Sequence, residues 1–320
     1  MRNKDVFSGF HPAVNMLYFT AVIGFAMFFT HPVCLAVSLL CATAYSIYLN
    51  GKRAIRFNLA YMLPMLIIAA LLNPAFNHQG ATILSYLPSG NPLTLESVLY
   101  GAAAAVMLIT VISWFSCFNT VMTSDKFIWL FGRIIPALSL ILSMALRFVP
   151  RFRAQIKVIS NAQKCVGRDI SSVKALRRTK LGIRVISARG IFRKIRFGIK
   201  TLSILVTWAL ENAIETADSM KGRGYGLPGR TAFSIFRFDK RDVFALIYIL
   251  ACSATVLTAN MTGVYYFRYF PTIRGDWTGT AILVFIVYLA LAAFPLAANI
   301  REEIIWKRIA EKTEASKARP

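Results

Sequence analysis

The sequence predicts an all-α integral membrane protein: about six transmembrane helices plus long amphipathic cytoplasmic helices. Three observations predict it. The chain is 57% hydrophobic with mean hydropathy +0.56, above the roughly 45–50% apolar usage of soluble domains. Six segments meet or approach the roughly 20 apolar residues that cross a hydrocarbon core of about 30 Å. And 22 of the 37 Lys and Arg crowd into residues 147–242, against six Asp and Glu.

The six apolar segments are 15–30, 32–49, 57–72, 97–118, 243–262 and 279–300. Only His31-Pro32 joins the first two, a tight turn whose proline can open the second helix. The start MRNKDVFSGFHPAV is basic, but no A-x-A-like cleavage site follows, so the first run is expected to be retained as a membrane helix.

Charge placement orients these helices. Between Phe57 and Asp125 there is no Lys or Arg, which marks the loop 73–96 as external under the positive-inside rule. Lys52, Arg53 and Arg56 mark the preceding turn as internal. A seventh apolar stretch, 127–152, carries Arg133, Pro136, Arg147 and Pro150 and reads as a broken, charged helix. If it crossed, the basic segment behind it would be exported. It is therefore expected to lie along or dip into the membrane, giving six crossings with both termini cytoplasmic. The basic tail WKRIAEKTEASKARP agrees; Arg268 and Arg274 in the last external loop are a mild exception. Three regions result: 1–126 with helices 1–4, 127–242 with a membrane-parallel helix and basic cytoplasmic helices, and 243–320 with the C-terminal helix pair and basic tail.

The net charge of +23 asks for a negative partner, met by anionic headgroups of the lipid bilayer or acidic protein surfaces. Nucleic acid fits the charge but not the absence of a folded reader domain. Cys34, Cys41, Cys117, Cys165 and Cys252 form no CxxC pair and read as small buried hydrophobes. His11, His31 and His78 lack metal-ligand spacing, so no metal site is expected. Gly224-Tyr-Gly226-Leu-Pro-Gly229 matches G-x-G-x-x-G literally but follows a helix, contains Pro228 and opens no βαβ unit. No P-loop is present, and no catalytic constellation. No cofactor is expected on this chain.

Within the basic segment, Ile199, Leu202, Val206, Ala209, Ala213 and Met220 fall at three- and four-residue spacing, one apolar helix stripe. Ala209, Ala213 and Ala217 keep it narrow enough for close helix approach, and it reads as a packing face. The stripe ends in KGRGYGLPG, whose glycines and Pro228 terminate any helix. Arg223 there is either a cation reaching a partner or an ordinary solvated residue at a C-terminal cap.

At AQKCVGRD (162–169) and ADSMKGRGYG (217–226), the chain resembles the transmembrane T component of energy-coupling factor transporters, a family that includes the membrane subunit of cobalt importers. The resemblance runs almost end to end, through HPAVN, PSGNPLTLE, SMALRFVPRFR, TWALENAIETADSMKGRGYGLPGR and FRFDKRD. It implies two Ala-Arg-Gly-type motifs at the ends of cytoplasmic coupling helices. These dock two ATP-binding-cassette ATPases, which carry the ATP and Mg, and relay their closure to a small substrate-binding membrane subunit. The second motif is Gly222-Arg223-Gly224, with glycine for the family's alanine. The first is degenerate, Cys165-Val166-Gly167-Arg168, with Val166 where the family has arginine. A literal Ala188-Arg189-Gly190 competes for that role. It lies 34 residues before Gly222, whereas Gly167 is 55 residues before it, the greater separation that a pair of long antiparallel helices needs. The packing of the coupling helix falls to Leu202, Val206, Ala209, Ala213, Ala217 and Met220. On this resemblance the chain is a non-enzymatic subunit for uptake of vitamins or transition-metal ions in a bacterial or archaeal plasma membrane. An autonomous secondary transporter is the alternative, though it would want polar residues at mid-membrane depth and inverted repeats. A lipid-modifying membrane enzyme is a third, without a catalytic set to carry it.

Overall fold

The computed structural model describes residues 5–86, 92–132, 135–166, 176–178, 184–186, 188–228, 236–264, 266–275 and 278–317. Among the described residues the fold is all-α apart from three two-stranded hairpins, and its apolar helices are those of a membrane protein. The chain divides into two compact units, 1–130 with 236–320, and 131–235.

In the first unit, α1 (Pro12–Phe28) and α2 (Pro32–Asn50) start alike. Proline occupies the first turn, and the preceding histidine accepts the exposed backbone N–H: Ala13 N to His11 Nδ1 at 3.3 Å, Val33 N to His31 Nδ1 at 3.2 Å. Gly51, at φ 57°, turns the chain into α3 (Lys52–Phe57), a five-residue π-helical piece (Asn58–Met62) and α4 (Leu63–Phe76). A hairpin of β1 (Ile83–Tyr86) and β2 (Pro92–Thr94) leads to α5 (Leu95–Val121), and α6 (Ser124–Gly132) follows. The unit resumes with α9 (Lys240–Met261), the short β5 (Phe267–Arg268) and β6 (Arg274–Gly275), and α10 (Gly279–Lys317).

Helix α5 lies against α1, α2 and α4; α10 packs on α2 and α9. The α4–α5 approach is backbone-close: a Cβ on Gly101 would stand 2.7 Å from the Ala70 carbonyl. The core is aromatic, with Phe7, Tyr18, Phe19, Tyr45, Trp114 and Tyr288 fully enclosed. Lipid is as apolar as these side chains, so association rests on dispersion and on hydrogen bonds between helices, about 0.6 kcal/mol each on average. Trp114 Nε1 donates to Ser38 Oγ at 2.9 Å and the Tyr18 hydroxyl to the Ala292 carbonyl at 3.0 Å.

Among the described residues, five helices, including the continuous 52–76 run, are long and apolar enough to cross a membrane; Pro12–Phe28 is apolar but only 17 residues long. The stretch 127–152 is interrupted, but between Gly132 and Pro136 and not at Pro150. Pro136 opens α7, whereas Pro150 lies inside α7 (Pro136–Cys165) without ending it. The C-terminal helix also outruns the apolar segment 279–300, carrying the basic tail in helical form to Lys317.

Of the cysteines, Cys34, Cys41 and Cys117 are buried and Cys252 is half-buried. Cys165, expected to be buried, is exposed at the last residue of α7.

In the second unit, α7 and α8 (Ala188–Gly222) pack on each other, and the hairpin of β3 (Leu176–Arg178) and β4 (Arg184–Ile186) falls between them in the chain.

Candidate functional site

The segment that ends α8 is defined by its own backbone. The Tyr225 N–H donates to the Met220 carbonyl at 3.0 Å and the Gly224 N–H to the Lys221 carbonyl at 2.9 Å, the paired bonds of a Schellman motif. Arg223 is then the C-cap, and Gly224, at φ 72°, takes the left-handed position that side chains resist. The two glycines of Gly222-Arg223-Gly224 therefore differ in kind. A Cβ on Gly222 would meet nothing within 4 Å, so alanine fits there, while Gly224 is demanded by the turn. Arg223 itself is exposed at this helix end.

Helix α7 ends at Cys165. Val166 is its C-cap, 72% exposed, its N–H donating to the Ala162 carbonyl at 3.3 Å. Lys164 and Lys221 occupy the last turns of the two helices, where the backbone dipole favours cations. Gly167 and Arg168 lie outside the described residues. Ala188-Arg189-Gly190 falls instead in the first turn of α8, roughly 50 Å from Gly222 along the axis at about 1.5 Å per residue.

Between these ends the helices touch on faces other than the expected stripe. The rings of Phe152 and Trp208 meet edge-on at 5.9 Å; Ile159 and Gln163 on α7 and Thr201 on α8 are buried. Ile199, Leu202 and Val206 are 63%, 58% and 49% exposed; Ala213 and Ala217 are exposed, and Ala209 and Met220 half-buried. Among the described residues, the contact between α7 and α8 leaves most of this stripe open. The contact with α7 runs through Thr201 and Trp208. Along α7, Ile141, Leu146, Val149, Ile156 and Val158 are likewise open. The second unit combines long amphipathic helices, apolar faces left uncovered and a cation fixed at a helix end. Among the described residues no three His, Cys, Asp or Glu side chains group to hold a metal ion.

In the first unit the structure joins two segments that are distant in sequence, HPAVN and FRFDKRD. Asp242 completes a capping box with Asp239 at the start of α9 and accepts the His11 N–H at 3.1 Å. The His11 ring meets those of Phe238 and Trp129 at 4.3 and 4.4 Å. Next to them is a polar cluster without any sequence signature. Asp5 accepts from Tyr45 OH at 3.0 Å and from Asn299 Nδ2 at 2.5 Å, and the Val6 N–H donates to Asn299 Oδ1 at 2.7 Å. Lys126, 5% exposed, donates to the Ser8 carbonyl at 2.6 Å and the Val121 carbonyl at 2.9 Å. With its amide turned to satisfy both atoms, Asn15 accepts from Lys126 Nζ at 3.0 Å and donates to the Phe7 carbonyl at 3.1 Å. Burial pushes the Lys126 ammonium down to about 8, with the Asp5 carboxylate opposing. The one clue in the sequence was a lysine directly after a long stretch without basic residues.

At the other end of the bundle, within the PSGNPLTLE segment, Thr94 caps α5 and buried Glu96 accepts from the Thr82 N–H at 3.2 Å and the Thr82 hydroxyl at 2.9 Å.

No protein-family model matches the chain. Among known proteins it is similar to the "Energy-coupling factor transporter transmembrane protein EcfT" of Lactobacillus helveticus, 26% identical over 166 residues, 47% of this chain and 54% of that one. It is likewise similar to the EcfT of Streptococcus thermophilus, 32% over 120 residues (37% and 39%), and that of Lacticaseibacillus paracasei, 30% over 124 residues (38% and 41%). The chain spans about half or less of the length of these relatives. The matches support an EcfT-like T component.

Proposed function

We propose that this chain is the transmembrane coupling subunit of an energy-coupling factor importer, linking ATP hydrolysis by two partner ATPases to movement of a small substrate-binding membrane subunit. The observation that carries the reading is the helix ends: the Val166 and Arg223 segments are the C-caps of the two long amphipathic helices. A stiff helix transmits displacement along its length, and a planar guanidinium on a fixed cap can enter an acidic pocket on an ATPase with its partners set in advance. The open apolar faces of α7 and α8 suit a membrane-embedded partner. In this reading the basic segment and both termini are cytoplasmic, ATP and Mg belong to the partners, and the cargo is a vitamin or a transition-metal ion recognised by the third subunit.

The test is an affinity pull-down of the tagged chain from its native membrane in mild detergent, followed by mass spectrometry. Two ATP-binding-cassette ATPases and a small hydrophobic membrane protein are expected. Arg223→Ala should weaken ATPase retention by more than about thirtyfold, since removing one partner of a desolvated ion pair costs about 2–5 kcal/mol. Full retention and transport in Arg223→Ala combined with Arg168→Ala would overturn the motif assignment. Transport by the purified chain alone in liposomes would favour the autonomous secondary transporter.

A further inference from the structure

At the corner where α2 turns into α3, the bundle has a cavity of about 250 Å³ lined by Ser46, Asn50, Arg53, Ala54, Phe57 and Ser116. Its polar lining is selective in sign: one guanidinium, one amide and two hydroxyls, with no carboxylate. From Val6 to Leu95 the sequence has no acidic residue at all, and among the described residues Arg53 has no acidic partner. Asp5, the acid bonded to neighbouring Tyr45, is occupied by Tyr45, Asn299 and the Ser8 N–H. Lys52 and Arg56, both exposed, flank Arg53 on the same short helix.

The surroundings are apolar. Directly after the cavity, Leu59, Tyr61, Leu63, Met65, Ile67 and Ile68 are exposed along a helix run that is only 11% buried, against 33–39% for the other four candidate spans. A ligand seated here would have an anion at the helix end and hydrocarbon alongside it.

We propose that this cavity is a binding site for the phosphate headgroup of an anionic phospholipid. Arg53 engages the phosphate in bidentate fashion, Asn50, Ser46 and Ser116 donate to the remaining oxygens, and the acyl chains lie on the open face of the 57–68 run. A fork of N–H groups matches phosphate geometry, and juxtamembrane cations attract anionic headgroups. Ala54 and Phe57 close the apolar side. A free phosphate shares the headgroup chemistry but gains nothing from the apolar helix, which is why the lipid is favoured. The inference rests on the chain being a membrane protein and not on the coupling reading, so either can fail alone.

The experiment uses the delipidated full chain in detergent. Phosphatidylglycerol or phosphatidylcholine is titrated in, and bound lipid is counted by native mass spectrometry. Phosphatidylglycerol is expected to bind the wild type at least about tenfold more tightly than phosphatidylcholine. Arg53→Gln should remove that preference, whereas Arg308→Gln on α10 should retain it. Ser116→Leu, which fills the cavity and leaves the cations in place, should act like Arg53→Gln. An unchanged preference in both Arg53→Gln and Ser116→Leu would overturn the site. Displacement of phosphatidylglycerol by millimolar inorganic phosphate would overturn the lipid assignment and leave a soluble-anion site.

Discussion

Trp114, in the unit formed by 1–130 and 236–320, is fully buried beside Tyr18 and Phe19 and donates to Ser38. Leu202, in the unit 131–235, leaves more than half its surface open on a helix just as long and regular. The first unit encloses an aromatic core tied by hydrogen bonds between its helices, while its 57–68 run stays open. The second presents an apolar face that its own two helices leave open. The same periodicity in sequence therefore carries two meanings, and only the neighbours separate them.

That contrast can be broken by truncation. Trp114→Ala should lower stability in detergent by about 3–5 kcal/mol, through the cavity and the lost donor, whereas Leu202→Ala should stay below about 1 kcal/mol. Equal losses in denaturant unfolding would mean that Leu202 is packed after all. Next in size is a pH effect confined to the first unit. Below about pH 8 folded and unfolded chains both hold the Lys126 proton, and the fold carries the full cost of the buried cation. Between about 8 and the ordinary 10.5 the folded chain has released the proton and the unfolded chain has not, so stability rises with pH, by about 3 kcal/mol in all. Lys126→Met should abolish the rise; its persistence would assign it to another group. The smallest effects separate the two glycines at the end of α8. Gly224→Ala should cost about 1–2 kcal/mol for a left-handed alanine, and Gly222→Ala should gain up to about 0.5–1 kcal/mol. Helix content and melting temperature of the two variants would move in opposite directions. A shared sign would remove the Schellman end.

Local signals were legible in the sequence. His31-Pro32 marked a helix start, KGRGYGLPG marked a helix end, and hydropathy placed the apolar helices to within a few residues. Pro136 and Pro150 look alike in the sequence but act differently: one opens α7, and the other lies inside it, because a proline costs a helix a bond and a clash but does not forbid continuation. The stripe 199–220 shows the limit of such reading, because periodicity gives a face and not its occupant. The cluster of Asp5, Lys126 and Asn299 left only the placement of Lys126 as a clue, because its meaning comes from contacts across most of the chain. The degenerate first motif is only half visible: Cys165 and Val166 lie at the end of α7, and Gly167 and Arg168 fall outside the described residues.

The bond between Asp5 and Asn299 spans 294 positions of sequence, which sets an order of events during synthesis. At about 5–20 residues per second, a ribosome needs on the order of 15–60 s after making Asp5 before it delivers Asn299. For that interval the carboxylate and the Val6 N–H lack the amide that later joins them, and α1 and α2 await a last helix still inside the ribosome. Helices that enter the bilayer early must therefore be held there without their final polar partner. The bundle locks only when α10 arrives.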